Sequence, residues 1–88
     1  MPVFSYFFGI TIRMYHDDHP PMHSHVEYQG RIALMSIMSG EIIKGDLPKK
    51  AFSLVKEWIL VHREELKHDW ELAQKFLPLE KIQGADND

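Results

Sequence analysis

The hydrophobic pattern of the chain changes its period once, near Asp46, and this change constrains the fold more than any other feature. Before that point apolar residues alternate with polar ones, as Ile10, Ile12 and Met14 do, which is typical of a half-buried strand. After it, apolar residues recur every three or four positions, which is typical of an amphipathic helix. Strands that come first and helices that follow indicate an α+β fold.

Four segments carry the strand pattern: residues 10–15, 23–28, 31–38 and 41–44. In the third segment Ala33, Met35 and Ile37 share one face, which we expect to be the buried one. Each connection is too short for a crossover, so consecutive strands should pair antiparallel as a meander. The sequence therefore predicts a small antiparallel sheet of about four strands packed on two C-terminal helices.

The helical half is less clearly divided, because its apolar stripe runs without a break from Ala51 to Leu77. A single helix of that length would span roughly 45 Å, which a sheet of short strands could not cover. We therefore expect a break within residues 62–65, where two glutamates suit the first turn of a second helix. Asp46 or Leu47 is the expected N-cap of the first helix, and Pro78 should end the second.

Length and composition limit the classes of protein that the chain can represent. Its 88 residues provide one domain, expected over residues 1–82, with a disordered tail over residues 83–88. The absence of cysteine excludes disulfides, thiolate metal sites and a cysteine nucleophile. A net charge of -3 argues against a dedicated nucleic-acid binder, although a local basic patch is compatible with it. Neither a secretory signal nor a membrane span is indicated, so we expect a cytoplasmic protein.

Histidine is the unusual residue of this sequence, and four of its six copies fall within ten positions. If residues 23–28 form a strand, His23, His25 and Glu27 project from the same face. Two imidazoles and a carboxylate at that spacing can bind one divalent ion, such as zinc, nickel, iron or manganese. The preceding turn offers Asp18 and His19 as further ligands. The sequence thus favours these five residues as candidate metal ligands.

Two other interpretations of the histidine segment remain open. A histidine polarised by a neighbouring aspartate could cleave a phosphodiester without metal, with Arg13, His16 and Arg31 as the candidate substrate-binding residues. Alternatively, the histidines serve only hydrogen bonds or a contact between subunits. The sequence does not decide whether the protein is an enzyme.

The sequence resembles the small bacterial domain-of-unknown-function family numbered forty-one sixty. The matching stretches extend over nearly the whole chain and include Phe8-Gly9-Ile10, Arg13-Met14-Tyr15, Asp18-His19, His23-x-His25-Val26-x-Tyr28, Gly45-x-Leu47-Pro48, His62-Arg63-Glu64-Glu65-Leu66 and Trp70-Glu71-Leu72-Ala73. Family members typically carry a Pro-Pro-His-Phe-His run. Here both histidines are kept, while Met22 and Ser24 replace the second proline and the phenylalanine.

The resemblance implies a protein that acts with another protein. Family members are often encoded beside a second small protein, which implies a regulatory or toxin–antitoxin-like association. The leading prediction is therefore a cytoplasmic binding or regulatory module with a protein partner. A homodimer is also expected, because a sheet of this size exposes edges that can pair.

Overall fold

The computed structural model describes residues 3–15 and 21–84, with side chains from Ser5 onward. Its elements are β1 (Val3–Phe7), β2 (Ile10–Arg13), β3 (His23–Tyr28), β4 (Arg31–Ser36), β5 (Ile42–Gly45), α1 (Lys49–Val61) and α2 (Arg63–Gln74). The five strands pair antiparallel in chain order. This arrangement confirms the predicted α+β meander with two C-terminal helices. Neither helix within these described ranges is long and apolar enough to cross a membrane.

The additional strand is β1, which the sequence pattern did not reveal. Ser5 is buried in it while Tyr6 is 58% exposed, so the segment lacks the alternation of apolar-in and polar-out residues. The other strands follow the prediction within one or two residues. β4 ends at Ser36 instead of residue 38, although Ile37 remains buried and donates its N–H to the Met22 carbonyl.

The break between the helices lies at His62, inside the predicted interval. α1 begins after Pro48, which stands at the N-cap position where the sequence suggested Asp46 or Leu47. The expectation that Pro78 ends the second helix was wrong, because α2 ends at Gln74. The chain leaves the helix through Phe76, whose φ is 58°, and the N–H of Leu77 returns to the Leu72 carbonyl. This left-handed exit terminates the helix before the proline is reached.

One hydrophobic core fills the space between the sheet and the helices. From the sheet it takes the predicted face of β4 together with Ile12 of β2 and Val26 of β3. From the helices it takes the predicted stripe, in which Val55, Trp58, Leu66 and Trp70 are all buried. These side chains cover one face of the sheet. Among residues 3–15 and 21–84, no helix packs over the opposite face.

Residues 79–84 pack on the domain and contribute Ile82 to this core. Ile82 is 2% exposed, and its carbonyl accepts a hydrogen bond of 2.9 Å from the Ser5 hydroxyl. The next carbonyl, of Gln83, accepts the Trp58 indole N–H at 2.9 Å, and Gly84 is buried. The predicted tail begins at residue 83, but the two residues of it that the structure describes pack onto the domain. The boundary itself stays a prediction, since residues 85–88 lie outside the described residues.

Asp69 of α2 anchors the same segment from inside the protein. It is completely buried, and its Oδ1 accepts the Glu80 N–H at 2.9 Å, while Oδ2 has no hydrogen-bond partner. Burial raises the pKa of the Asp69 carboxyl, outweighing the hydrogen bond from Glu80, which lowers it. A carboxyl whose pKa is raised by folding stabilises the protein most when it is protonated, and this contribution is lost as the pH rises through the folded-state pKa.

We therefore expect Asp69→Asn to flatten the dependence of stability on pH. The amide keeps the Oδ1 acceptor for Glu80 but carries no charge, so the variant should gain stability relative to the natural protein as the pH rises from 4 to 7. Urea unfolding at several pH values in this interval measures the difference. Glu71→Gln, which changes an exposed carboxylate of the same helix, is the matched control and should leave the curve unchanged. An Asp69→Asn curve parallel to that of the natural protein would contradict the prediction.

Candidate functional site

The face of the sheet opposite the helices carries three of the residues that the sequence singled out, namely Arg13, His25 and Glu27. Alternation along the strands and the observed register place ten side chains on this side. Two of them, the paired His23 and Ser36, are set apart because His23 is buried against Trp70 of α2. The other eight we name the open face: Tyr6, Thr11, Arg13, His25, Glu27, Ile32, Leu34 and Lys44. They form two rows across the strands. One row runs through Thr11 and Glu27, and the other through Arg13 and His25.

An ion pair joins the two rows near the centre of the open face. Nε of Arg13 donates to Oε1 of Glu27 at 2.8 Å, across strands β2 and β3. This hydrogen bond raises the pKa of the Arg13 guanidinium above its ordinary value. Both side chains are about one-third exposed, so solvent screens their attraction and the pair contributes little to stability. The pair matters for the metal hypothesis, because Glu27, the predicted third metal ligand, is bound to Arg13 instead.

His23 and His25 are adjacent, as their positions two apart on one strand predicted. Their ring centroids lie 5.2 Å apart. The His25 ring also meets Tyr15 edge-on at 4.3 Å, and the His23 ring contacts Trp70 of α2 at 5.4 Å. Nδ1 of His23 lies 2.8 Å from the Pro21 carbonyl, which only an N–H can satisfy, so Nδ1 carries a proton.

The remaining predicted ligands, Asp18 and His19, lie outside the described residues. The same is true of His16, which was predicted to bind substrate. Within residues 3–15 and 21–84, no group of three or more histidine and carboxylate side chains is arranged to hold a metal ion. Metal binding by the histidine segment therefore stays a prediction.

The two arginines proposed as phosphate ligands lie on different sides of the sheet. Arg31 is paired with Tyr28 across the hairpin and alternates with Ile32, so it belongs to the side opposite Arg13. It forms its own ion pair with Asp46, at 2.6 Å. Both arginines are thus bound to carboxylates, and the structure does not bring them together. Cleavage of a phosphodiester stays a prediction with no support from this geometry.

Sequence reasoning missed the apolar members of the open face. Ile32 and Leu34 could have been found, because they alternate with Ala33 and Met35, which were assigned to the core side. Tyr6 could not, since it lies on the strand that the pattern did not indicate. The contact of Trp70 with His23 had no sequence signal at all, because it joins residues 47 positions apart.

The fold and the open face define a small α+β domain in which both described helices pack on the same side of the sheet. The family model described as "Domain of unknown function (DUF4160)" matches residues 9–71 of the chain. This match covers most of the chain and confirms the resemblance drawn from the sequence: the protein belongs to that family. β1 and the segment after Glu71 lie outside the matched range. Neither a curated protein nor a solved structure matches the chain.

Proposed function

We propose that the protein is a small binding module that recognises a protein partner through its open face. The observation that carries this proposal is the row Tyr6–Thr11–Glu27–Ile32, in which exposed apolar side chains stand at both ends. Tyr6 is 58% and Ile32 is 56% exposed. Exposed aromatic and aliphatic side chains around a few fixed polar groups are typical of protein interfaces.

A shallow hollow at the edge of the open face, beside the turns that contain Gly9 and Gly30, offers a place for a side chain of the partner. Its volume is about 270 Å³, and Thr11, Glu27 and Ile32 contribute to its lining. A partner segment that inserts an apolar side chain here would contact Ile32 and the aliphatic part of the Glu27 side chain. The Arg13–Glu27 pair beside it provides hydrogen-bonding groups whose positions are already fixed before binding.

Charge favours a protein over a nucleic acid as the partner. Arg13, the basic side chain nearest the middle of the open face, is neutralised by Glu27. The chain as a whole carries a net charge of -3, whereas binding of a phosphate backbone draws its affinity from unneutralised lysines and arginines. The family resemblance supports the same choice, since it implies a partner encoded beside this protein in a regulatory or toxin–antitoxin-like pair. A cytoplasmic location is part of this proposal.

Weakening the apolar row should weaken the complex with the protein encoded beside this one. We expect the double change Tyr6→Thr and Ile32→Thr to raise the dissociation constant at least tenfold, because it removes both exposed apolar side chains while keeping residues that suit strands. Calorimetric titration of the two purified proteins measures this. Met38→Thr is the matched control, because Met38 is 49% exposed but lies in the turn after β4.

Two results would contradict the proposal. One is the absence of a complex between the natural proteins, and the other is a complex that the double variant and the control weaken equally. Melting temperatures of both variants show whether the fold is retained, so that a loss of binding can be assigned to the surface.

A second function, metal binding, is favoured by the adjacent imidazoles of His23 and His25. Two ring nitrogens on neighbouring side chains can share one ion, provided that further ligands come from elsewhere. Elemental analysis of tag-free protein, with and without replacement of both histidines by asparagine, tests this. Stoichiometric metal that disappears in the variant supports the second function, and metal-free natural protein refutes it.

A further inference from the structure

A stripe of four exposed side chains follows the outer surface of α1, away from the open face. It consists of Lys50, Leu54, Glu57 and Val61, spaced by three or four residues so that they share one side of the helix. Leu54 is 37% and Val61 is 72% exposed. We name this set the α1 stripe. An apolar centre between two charged residues of opposite sign is its distinguishing property.

The tip of the β1–β2 hairpin extends the α1 stripe sideways. Phe8 stands there with its ring 53% exposed, and it lines two adjoining grooves together with Leu54. The grooves have volumes of about 430 Å³ and 350 Å³. Both are open to solvent. The smaller one is lined mainly by apolar side chains, whereas Glu57, His62 and Gln83 also line the larger one. The apolar surface is therefore continuous from the hairpin tip to the helix.

Phe8 occupies a backbone conformation that a phenylalanine rarely adopts. Its φ is 51°, in the left-handed region that hairpin turns normally fill with asparagine, aspartate or glycine. The Phe8 ring meets the Phe7 ring edge-on, with centroids 6.4 Å apart, and about half of the residue stays exposed to solvent.

The order of charges along the α1 stripe matches a second copy of the same stripe. Lys50 lies four residues before Leu54, and Glu57 lies three residues after it. If two α1 helices pack antiparallel about a two-fold axis near Leu54, each Lys50 faces Glu57 of the second copy. Within residues 3–15 and 21–84, neither of these two side chains takes part in any ion pair of the monomer.

We infer that the chain forms a symmetric homodimer through the α1 stripe, with the Phe8 rings at the rim of the interface. Burial of Leu54, Val61 and Phe8 supplies the apolar contact, and the two Lys50–Glu57 pairs fix the antiparallel register. This interface is separate from the open face. Each protomer of the dimer therefore keeps its open face for the partner, and the inference does not depend on the proposed function.

Charge exchange between the two positions tests the register directly. We expect Lys50→Glu and Glu57→Lys each to raise the dimer dissociation constant at least tenfold, because each variant brings like charges together in its own homodimer. An equimolar mixture of the two variants should dimerise again, since every contact in the mixed dimer joins opposite charges. Sedimentation equilibrium over a range of protein concentrations measures all three samples beside the natural protein.

The matched control uses the same charge changes outside the stripe. Lys49→Glu and Glu71→Lys alter exposed residues, and neither the single variants nor their mixture should change the association. The inference is overturned if the natural protein is monomeric at every concentration. It is also overturned if the charge variants dimerise like the natural protein, or if their mixture stays as weakly associated as each variant alone.

Discussion

Gly45→Ala should destabilise the protein by about 2–5 kcal/mol, a large effect for the addition of a single methyl group. Gly45 ends β5 with a φ of 84°, where an L-residue costs roughly 1–2 kcal/mol. A Cβ at this position would overlap the Ile32 carbonyl oxygen and lie 3.0 Å from Cα of Ala33. Both are backbone atoms of β4, so relief requires the strands to separate, at a further cost of roughly 1–3 kcal/mol.

Gly30→Ala is the matched control for this prediction. Gly30 has a similar φ of 80°, but no atom lies within 4 Å of the position of its added Cβ. The Gly30→Ala variant should therefore be destabilised only by the unfavourable backbone conformation of the alanine, which costs roughly 1–2 kcal/mol. Urea unfolding of both variants measures the difference. Equal losses would mean that β5 is not pressed against β4 as described.

Ile82→Ala should cost about 2–5 kcal/mol, the range found when a buried aliphatic side chain is cut back and leaves a cavity. Ile82 is 2% exposed, and the backbone around it is fixed by Ser5 and Trp58. A domain of this size has a total stability of about 4–13 kcal/mol, so the loss is a large fraction of it. Thermal and urea unfolding both measure the change.

Lys81→Ala is the matched control for Ile82→Ala. Lys81 directly precedes Ile82 but is exposed, so removal of its side chain should change the stability by no more than about 0.5 kcal/mol. If the two variants were equally stable, residues 79–84 would not be packed on the domain in solution. A large loss for Ile82→Ala alone would show that the domain extends beyond the range of the family model, which ends at residue 71.

The histidine strand is the part of the candidate site that could be predicted most fully. The period of two in residues 23–28 gave the strand with its correct bounds and placed His23 beside His25. The same rule placed Glu27 on their side, but it could not show that Glu27 binds Arg13. That pairing depends on the register between β2 and β3, which local sequence does not encode.

The break between α1 and α2 was predicted without a glycine or proline to mark it. The argument used the length that a single helix would reach beyond the sheet, and the break lies at His62. The end of α2 was misjudged, because the left-handed turn at Phe76 closes the helix four residues before Pro78. A phenylalanine is a poor signal for such a turn, since glycine or asparagine normally occupies it.

By itself, the sequence determined the order of the predicted elements, the antiparallel meander and the faces of β2, β4 and α1 that are buried. These properties follow from the spacing of apolar residues within short segments, where strand and helix geometry leave few alternatives. Only the tertiary structure decided that β1 joins the sheet, that Asp69 and Trp58 hold residues 79–84, and that Phe8 lies beside Leu54. Such contacts join residues far apart in the chain, so their partners are chosen by packing of the whole domain and not by any local pattern.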